Sequence, residues 1–99
     1  MVRHIIIWDF DERLNETEKK TQAEIIKKGL EGLKGIVPGL KEIKVHTELL
    51  SSSNGDIMLD SVFESREALA GYQTHPEHLK VAALVKSVTS HRSCADIEI

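Results

Sequence analysis

The chain has 99 residues, 40% apolar and 29% charged, with a formal net charge of −3. That is one domain, residues 1–99, with a core modest enough that a second chain covering an apolar face adds substantially to stability. The acidic balance excludes the concentrated positive field that nucleic-acid binding needs, and no stretch reaches the ~20 apolar residues of a membrane span.

Val2 to Phe10 reads as the first strand. Val2, His4, Ile6, Trp8 and Phe10 share one face by period two, and Ile5 and Ile7 share the other. Both faces are largely apolar, so both need cover: helices of the same chain on one, a partner subunit on the other. The apolar run after Arg3 is too short for a signal peptide and leads into charges, so a cytoplasmic location is expected. Asn15 starts the first helix, and Glu18 completes a capping box. Ala23, Ile26, Leu30, Leu33 and Val37 then form a helical stripe. Lys19-Lys20 and Lys27-Lys28 are interspersed with acids and read as a solvated face. Gly29 borders the stripe and suits close approach to the sheet; Gly35 is the expected helix end; Gly32 has no assigned reason.

Pro38-Gly39 reads as a turn. Leu40 to Leu50 is the second strand, with Ile43, Val45, Thr47 and Leu49 alternating against Lys44, His46 and Glu48. Ser51 to Gly55 has loop composition. Asp56 to Glu64 is the third strand. Ser65 caps a short helix with Ala68, Leu69 and Tyr72 on one side. His75 is the expected N-cap of a further helix, with Pro76 at its first position and Glu77 in its first turn, running to about Lys86. Its margins carry Leu79, Ala82, Ala83 and Val85 or Lys86. Thr89 to Ile99 is the last strand. It holds the single cysteine, Cys94, which excludes an intrachain disulfide and any all-cysteine metal site and reads as a small packed or half-exposed side chain. His91, near the start of this strand, is expected to be exposed.

The order β-α-β-β-α-α-β is a split βαβ arrangement of the ferredoxin-like type. It predicts an α+β fold with a four-stranded antiparallel sheet and helices on one face. The uncovered apolar face is expected to meet its copy in a homodimer.

Tyr72-Gln73-Thr74-His75-Pro76-Glu77-His78 resembles the Y-Q-x-H-P-x-H signature of the Dabb family, the stress-responsive dimeric α/β-barrel domains. His4 to Phe10 is similar to that family's first strand, and Asp56 to Ser65 to its third strand and the exit into a helix. The resemblance implies a dimeric α/β barrel with two sheets packed face to face. It also implies that His4, on a face lining the barrel interior, looks into a mostly apolar cavity.

Tyr72 ends one helix and His78 lies in the first turn of the next, so the two can converge on one opening. A tyrosine hydroxyl can donate to a carbonyl oxygen that becomes negative, while a neutral histidine takes a proton from the adjacent carbon. Plant polyketide cyclases of the Dabb family are thought to work this way. Their Tyr, His and first-strand His match Tyr72, His78 and His4. The catalytic set on this reading is Tyr72, His78 and His4, with Ile6, Trp8 and His75 as substrate-binding residues and no cofactor. Each also has a plain structural reading: His4 and Trp8 as core side chains, Tyr72 and His78 as residues that hold two helices together. His75 and His78, with His4 or His46, have the spacing of a weak metal constellation, but an N-cap role occupies His75 Nδ1, and no metal is expected. Trp8 on an interior face also suits the cofactor-independent monooxygenases of the wider barrel superfamily, but the Tyr72–His78 stretch favours Dabb. No Gly-rich phosphate loop, Ser-His-Asp set or carboxylate pair is present. The functional expectation is a small-molecule-binding Dabb protein with an apolar cavity between sheet and helices. The alternatives are a cyclase or lyase acting on a β-keto compound and a structural homo-oligomer.

Overall fold

In the computed structural model, which describes residues 1–99, the first strand alternates strictly. From Val2 to Phe10 every even-numbered side chain is buried and every odd one is half-buried. The elements follow in the expected order: β1 (Val2–Phe10), α1 (Glu16–Glu31), β2 (Leu40–His46), β3 (Ile57–Phe63), α2 (Arg66–Thr74), α3 (Pro76–Val88) and β4 (Thr89–Glu98). The four strands form one antiparallel sheet in the order β2-β3-β1-β4. This is the ferredoxin-like α+β fold. No helix is long and apolar enough to cross a membrane.

Register decides which side chains meet. The even face of β1 is joined by Ile57, Leu59, Ser61 and Phe63 of β3 and by Arg92, Cys94 and Asp96 of β4. The buried core lies on this face, beneath Ile26 and Leu30 of α1, Leu69 and Tyr72 of α2 and Val85 of α3. His4 therefore lies under its own helices, and not in a barrel interior between two sheets. The opposite face carries Ile5, Ile7, Met58, Val62, Ala95 and Ile97, with an Arg3–Asp60 ion pair at 3.2 Å. No helix of the chain covers it.

The local signals at helix starts are present as read. Asn15 accepts the Glu18 N–H at 2.8 Å and Glu18 accepts the Asn15 N–H at 2.9 Å, a complete capping box worth about 1 kcal/mol. Ser65 caps α2 through the Ala68 N–H at 3.1 Å.

Three boundaries differ from expectation. Helix α1 ends at Glu31 with Gly32 as its cap, and Gly35 (φ +87°) lies in the turn beyond. Leu33 and Val37 are still buried, because the turn keeps them over the sheet. Gly29 is packed against a helix and not the sheet: a Cβ there would lie 3.1 Å from Val81 of α3. Strand β2 stops at His46, the partner of Met58, and β3 is preceded by Asp56. The Asp56 N–H donates to the Trp8 carbonyl at 2.9 Å and its carboxylate accepts the Phe10 N–H at 2.9 Å. An irregularity between Leu40 and Glu42 lets Leu40 share the buried face with Val45, which simple alternation forbids. The outward Val45 N–H is met by the Glu31 carboxylate at 2.9 Å, which helps to blunt this edge strand. Helix α3 runs on to Val88, with Leu79 exposed.

Gly39 combines a left-handed backbone (φ +79°) with close packing, since a Cβ would fall 2.5 Å from the Ala68 Cβ. Gly39→Ala is expected to cost about 2–4 kcal/mol in urea unfolding. Gly35→Ala, in open space, is expected to cost only about 1 kcal/mol. Equal losses at the two positions would contradict the close approach at Gly39.

Candidate functional site

The site begins at the α2–α3 corner. His75 closes one helix and opens the next. Its N–H donates to the Tyr72 carbonyl at 3.2 Å, and its Nδ1 accepts the Glu77 N–H at 3.1 Å. Pro76 occupies the first position of α3, where no N–H is needed. The corner folds Tyr72 and His78 onto each other, with ring centroids 4.1 Å apart. Tyr72 also packs against Phe63 at 4.9 Å and meets His4 edge-on at 6.2 Å. Four rings thus run from the sheet to the surface: His4, Phe63, Tyr72 and His78.

The polar atoms of this column are not equally satisfied. His4 is 1% exposed, and its Nδ1 hydrogen-bonds to the Asp96 carboxylate on β4. The Ser61 hydroxyl donates to the His4 carbonyl at 2.9 Å. By contrast, the Tyr72 hydroxyl and His78 Nδ1 are buried without any hydrogen-bond partner. Burial pushes the Tyr72 pKa up to about 12, against the nearby Arg92 charge, so the phenol stays a donor. Burial also lowers the His78 pKa, opposed by the Gln73 backbone and reinforced by His4, Arg92 and His75. The imidazole is held in its neutral, basic form.

Tyr72 and His78 line a cavity of about 600 Å³. Ile6, Trp8, Leu30 and Val85 supply apolar walls, and Lys86 and Arg92 bring positive charge. Of the residues singled out from sequence, Ile6, Trp8, Tyr72 and His78 meet in this space. His4 stands one ring behind it, and His75 is occupied at the corner; neither lines the cavity. The His75, His78 and His46 constellation is not assembled, since His46 pairs with Met58 on the helix-free face. Donor atoms of His4, Cys94 and Asp96 lie within 4.8 Å of one another, but His4 and Asp96 already satisfy each other there. Cys94 is exposed, more so than the packed or half-exposed side chain expected; it lies on the edge strand, which is exposed almost throughout. A second groove, of about 490 Å³, lies where α1 starts and is lined by charges including Lys19, Lys20, Glu24 and Glu48. No ring nitrogen or phenol reaches it.

Sequence reasoning missed Arg92, Lys86 and the Asp96 partner of His4. Arg92 faces Trp8 across the β1–β4 ladder, so only the strand register reveals it.

The family model for the stress responsive A/B barrel domain, Dabb, matches residues 2–99. No curated protein matches the sequence. Among solved structures, a dimeric ferredoxin-like protein of unknown function from Bacteroides fragilis superposes with a TM-score of 0.91 at 24% identity, covering 99% of this chain and 95% of that one. A dimeric ferredoxin-like protein from Thermobifida fusca gives 0.83 at 21% identity, over 99% and 90%. The hydroxynitrile lyase of Passiflora edulis gives 0.79 at 21% identity, over 99% and 92%. At these identities the likeness shows the fold alone.

An unpaired buried hydroxyl costs about 1–3 kcal/mol. Tyr72→Phe is therefore expected to leave stability unchanged or to raise it by about 1 kcal/mol in urea unfolding. A clear loss would mark the hydroxyl as an architectural contact.

Proposed function

The chain belongs to the Dabb family of stress responsive A/B barrel domains, and on that premise we propose that it is a homodimer whose cavity binds a small carbonyl compound and moves a proton on it. One observation carries this reading. Tyr72 Oη and His78 Nδ1 are both buried and unpartnered, and both residues line one largely apolar cavity. Two such atoms, on rings whose centroids are 4.1 Å apart, are a pair of costs that a ligand bearing an acceptor and an acidic C–H removes together.

The chemistry follows from the protonation states. Tyr72 keeps its proton and hydrogen-bonds through it to the ligand's carbonyl oxygen. Neutral His78, with its proton on Nε2, offers the Nδ1 lone pair to a hydrogen on the adjacent carbon. The C–H pair becomes the enolate double bond, and the carbonyl π pair moves to the oxygen held by Tyr72. His4 acts from behind: it packs edge-on against Tyr72 and is itself fixed by Asp96. This makes it a positioning residue on the present reading.

The test is exchange of α-hydrogens in a β-keto ester dissolved in D2O, followed by proton NMR. Exchange is expected to be accelerated by the protein and to fall about 100-fold or more in His78→Gln and Tyr72→Phe. Protonated His78 cannot accept a proton, so the rate is expected to fall as pH drops through a value below the ordinary 6.5. Unchanged rates in both variants would rule out proton transfer at this pair.

The dimer reading rests on the apolar helix-free face and on the dimeric relatives. Ile7 lies on that face and is half-buried in a single chain. Ile7→Glu is expected to halve the mass seen by light scattering while the circular dichroism of the fold is kept. An unchanged mass would move the interface elsewhere.

A further inference from the structure

The chain has four arginines. Three reach carboxylates: Arg3 to Asp60 at 3.2 Å, Arg13 to Asp11 at 3.0 Å and Arg66 to Glu98 at 2.7 Å. Arg92 reaches none, and it lines the cavity beside Tyr72 and His78. Lys86 lines the same space and is also without an ion pair. No aspartate or glutamate is among the lining residues. Cations lining an apolar cavity without an acid to answer them make it a place where a negative ligand gains and a positive one loses. Arg92 is close enough for its charge to act on both Tyr72 and His78.

Resting on the carbonyl-binding reading above, we infer that the ligand is an anion, a β-keto carboxylate whose carboxylate is held by Arg92 with Lys86 assisting, and whose keto oxygen is held by Tyr72. The guanidinium offers a planar fork of donors that matches a carboxylate. A β-keto acid places its carboxylate one carbon from its ketone, with the acidic hydrogens between. One ligand then answers Arg92, Tyr72 and His78 at once, while its alkyl chain lies against Ile6, Trp8 and Leu30.

Trp8 is the only tryptophan and lines the cavity, so its fluorescence reports occupancy. The probes are β-ketooctanoate, its methyl ester and octanoate, titrated into wild type, Arg92→Gln, Lys86→Gln and Tyr72→Phe. The keto acid is expected to bind wild type about tenfold or more tighter than the ester, and Arg92→Gln to remove that advantage. Lys86→Gln is expected to weaken the acid less, and added salt to weaken the acid but not the ester. Equal binding of acid and ester, with Arg92→Gln without effect, overturns the anion assignment; the carbonyl reading survives that result if Tyr72→Phe weakens both probes. Octanoate binding as well as the keto acid, with Tyr72→Phe silent, overturns the carbonyl reading and the keto acid assignment with it. No response to any carboxylate overturns the assignment. So does a change of light-scattering mass in Arg92→Gln with binding unaltered, which marks Arg92 as a contact between protomers.

Discussion

Val2, His4, Ile6, Trp8 and Phe10 give one whole face of a central strand to the helices above it. The rest of the molecule is arranged around the burial of that face. Fully burying a large apolar side chain contributes about 1.5–3 kcal/mol, so this row outweighs any single cap or ion pair in the chain. A slip of one residue would bring Arg3, Ile5, Ile7 and Asp9 under the helices instead. Two of those are charged and no helix residue pairs with them. The register that keeps His4 and Trp8 inside is the one that brings Arg92 and Asp96 alongside.

The α2–α3 corner turns this burial into a site. His75 serves both helices with one backbone N–H and one ring nitrogen. It fixes the angle at which α3 leaves, and so brings His78 down onto Tyr72. Four polar side chains in this region have buried polar atoms, and they are treated differently. His4 receives a carboxylate partner and Ser61 a carbonyl. Tyr72 Oη and His78 Nδ1 receive nothing. A fold that satisfies the first two but leaves the last two open keeps a destabilising pair where the cavity lies.

Charge and apolarity are divided within that cavity. Its walls are largely apolar, burial holds His78 toward its neutral form, and Lys86 and Arg92 bring positive charge. Elsewhere the other three arginines pair with carboxylates near the surface, where each pair is worth about 0–1 kcal/mol. Next to the cavity Arg92 has no such partner. The helix-free face shows the complementary situation, apolar side chains with the Arg3–Asp60 ion pair among them.

Much of this was legible from local signals. Asn15 with Glu18, Ser65, and His75 with Pro76 each mark a helix start through contacts within a few residues, so neighbouring letters suffice. The order of elements, the faces of β1, and the approach of Tyr72 to His78 follow from periodicity and one corner. Other features depended on residues far apart in sequence. Asp56 bonds to β1, Val81 packs on Gly29, and an irregularity moves Leu40 to the buried face. Asp96 meets His4 across 92 positions, and Arg92 reaches the cavity only through pairing with β1. The sequence by itself determined which segments become helix or strand, because those choices rest on short-range hydrogen bonds and side-chain period. Tertiary structure alone decided what stands beside Tyr72 and His78, because strand register, and not spacing along the chain, sets which distant side chains share a face.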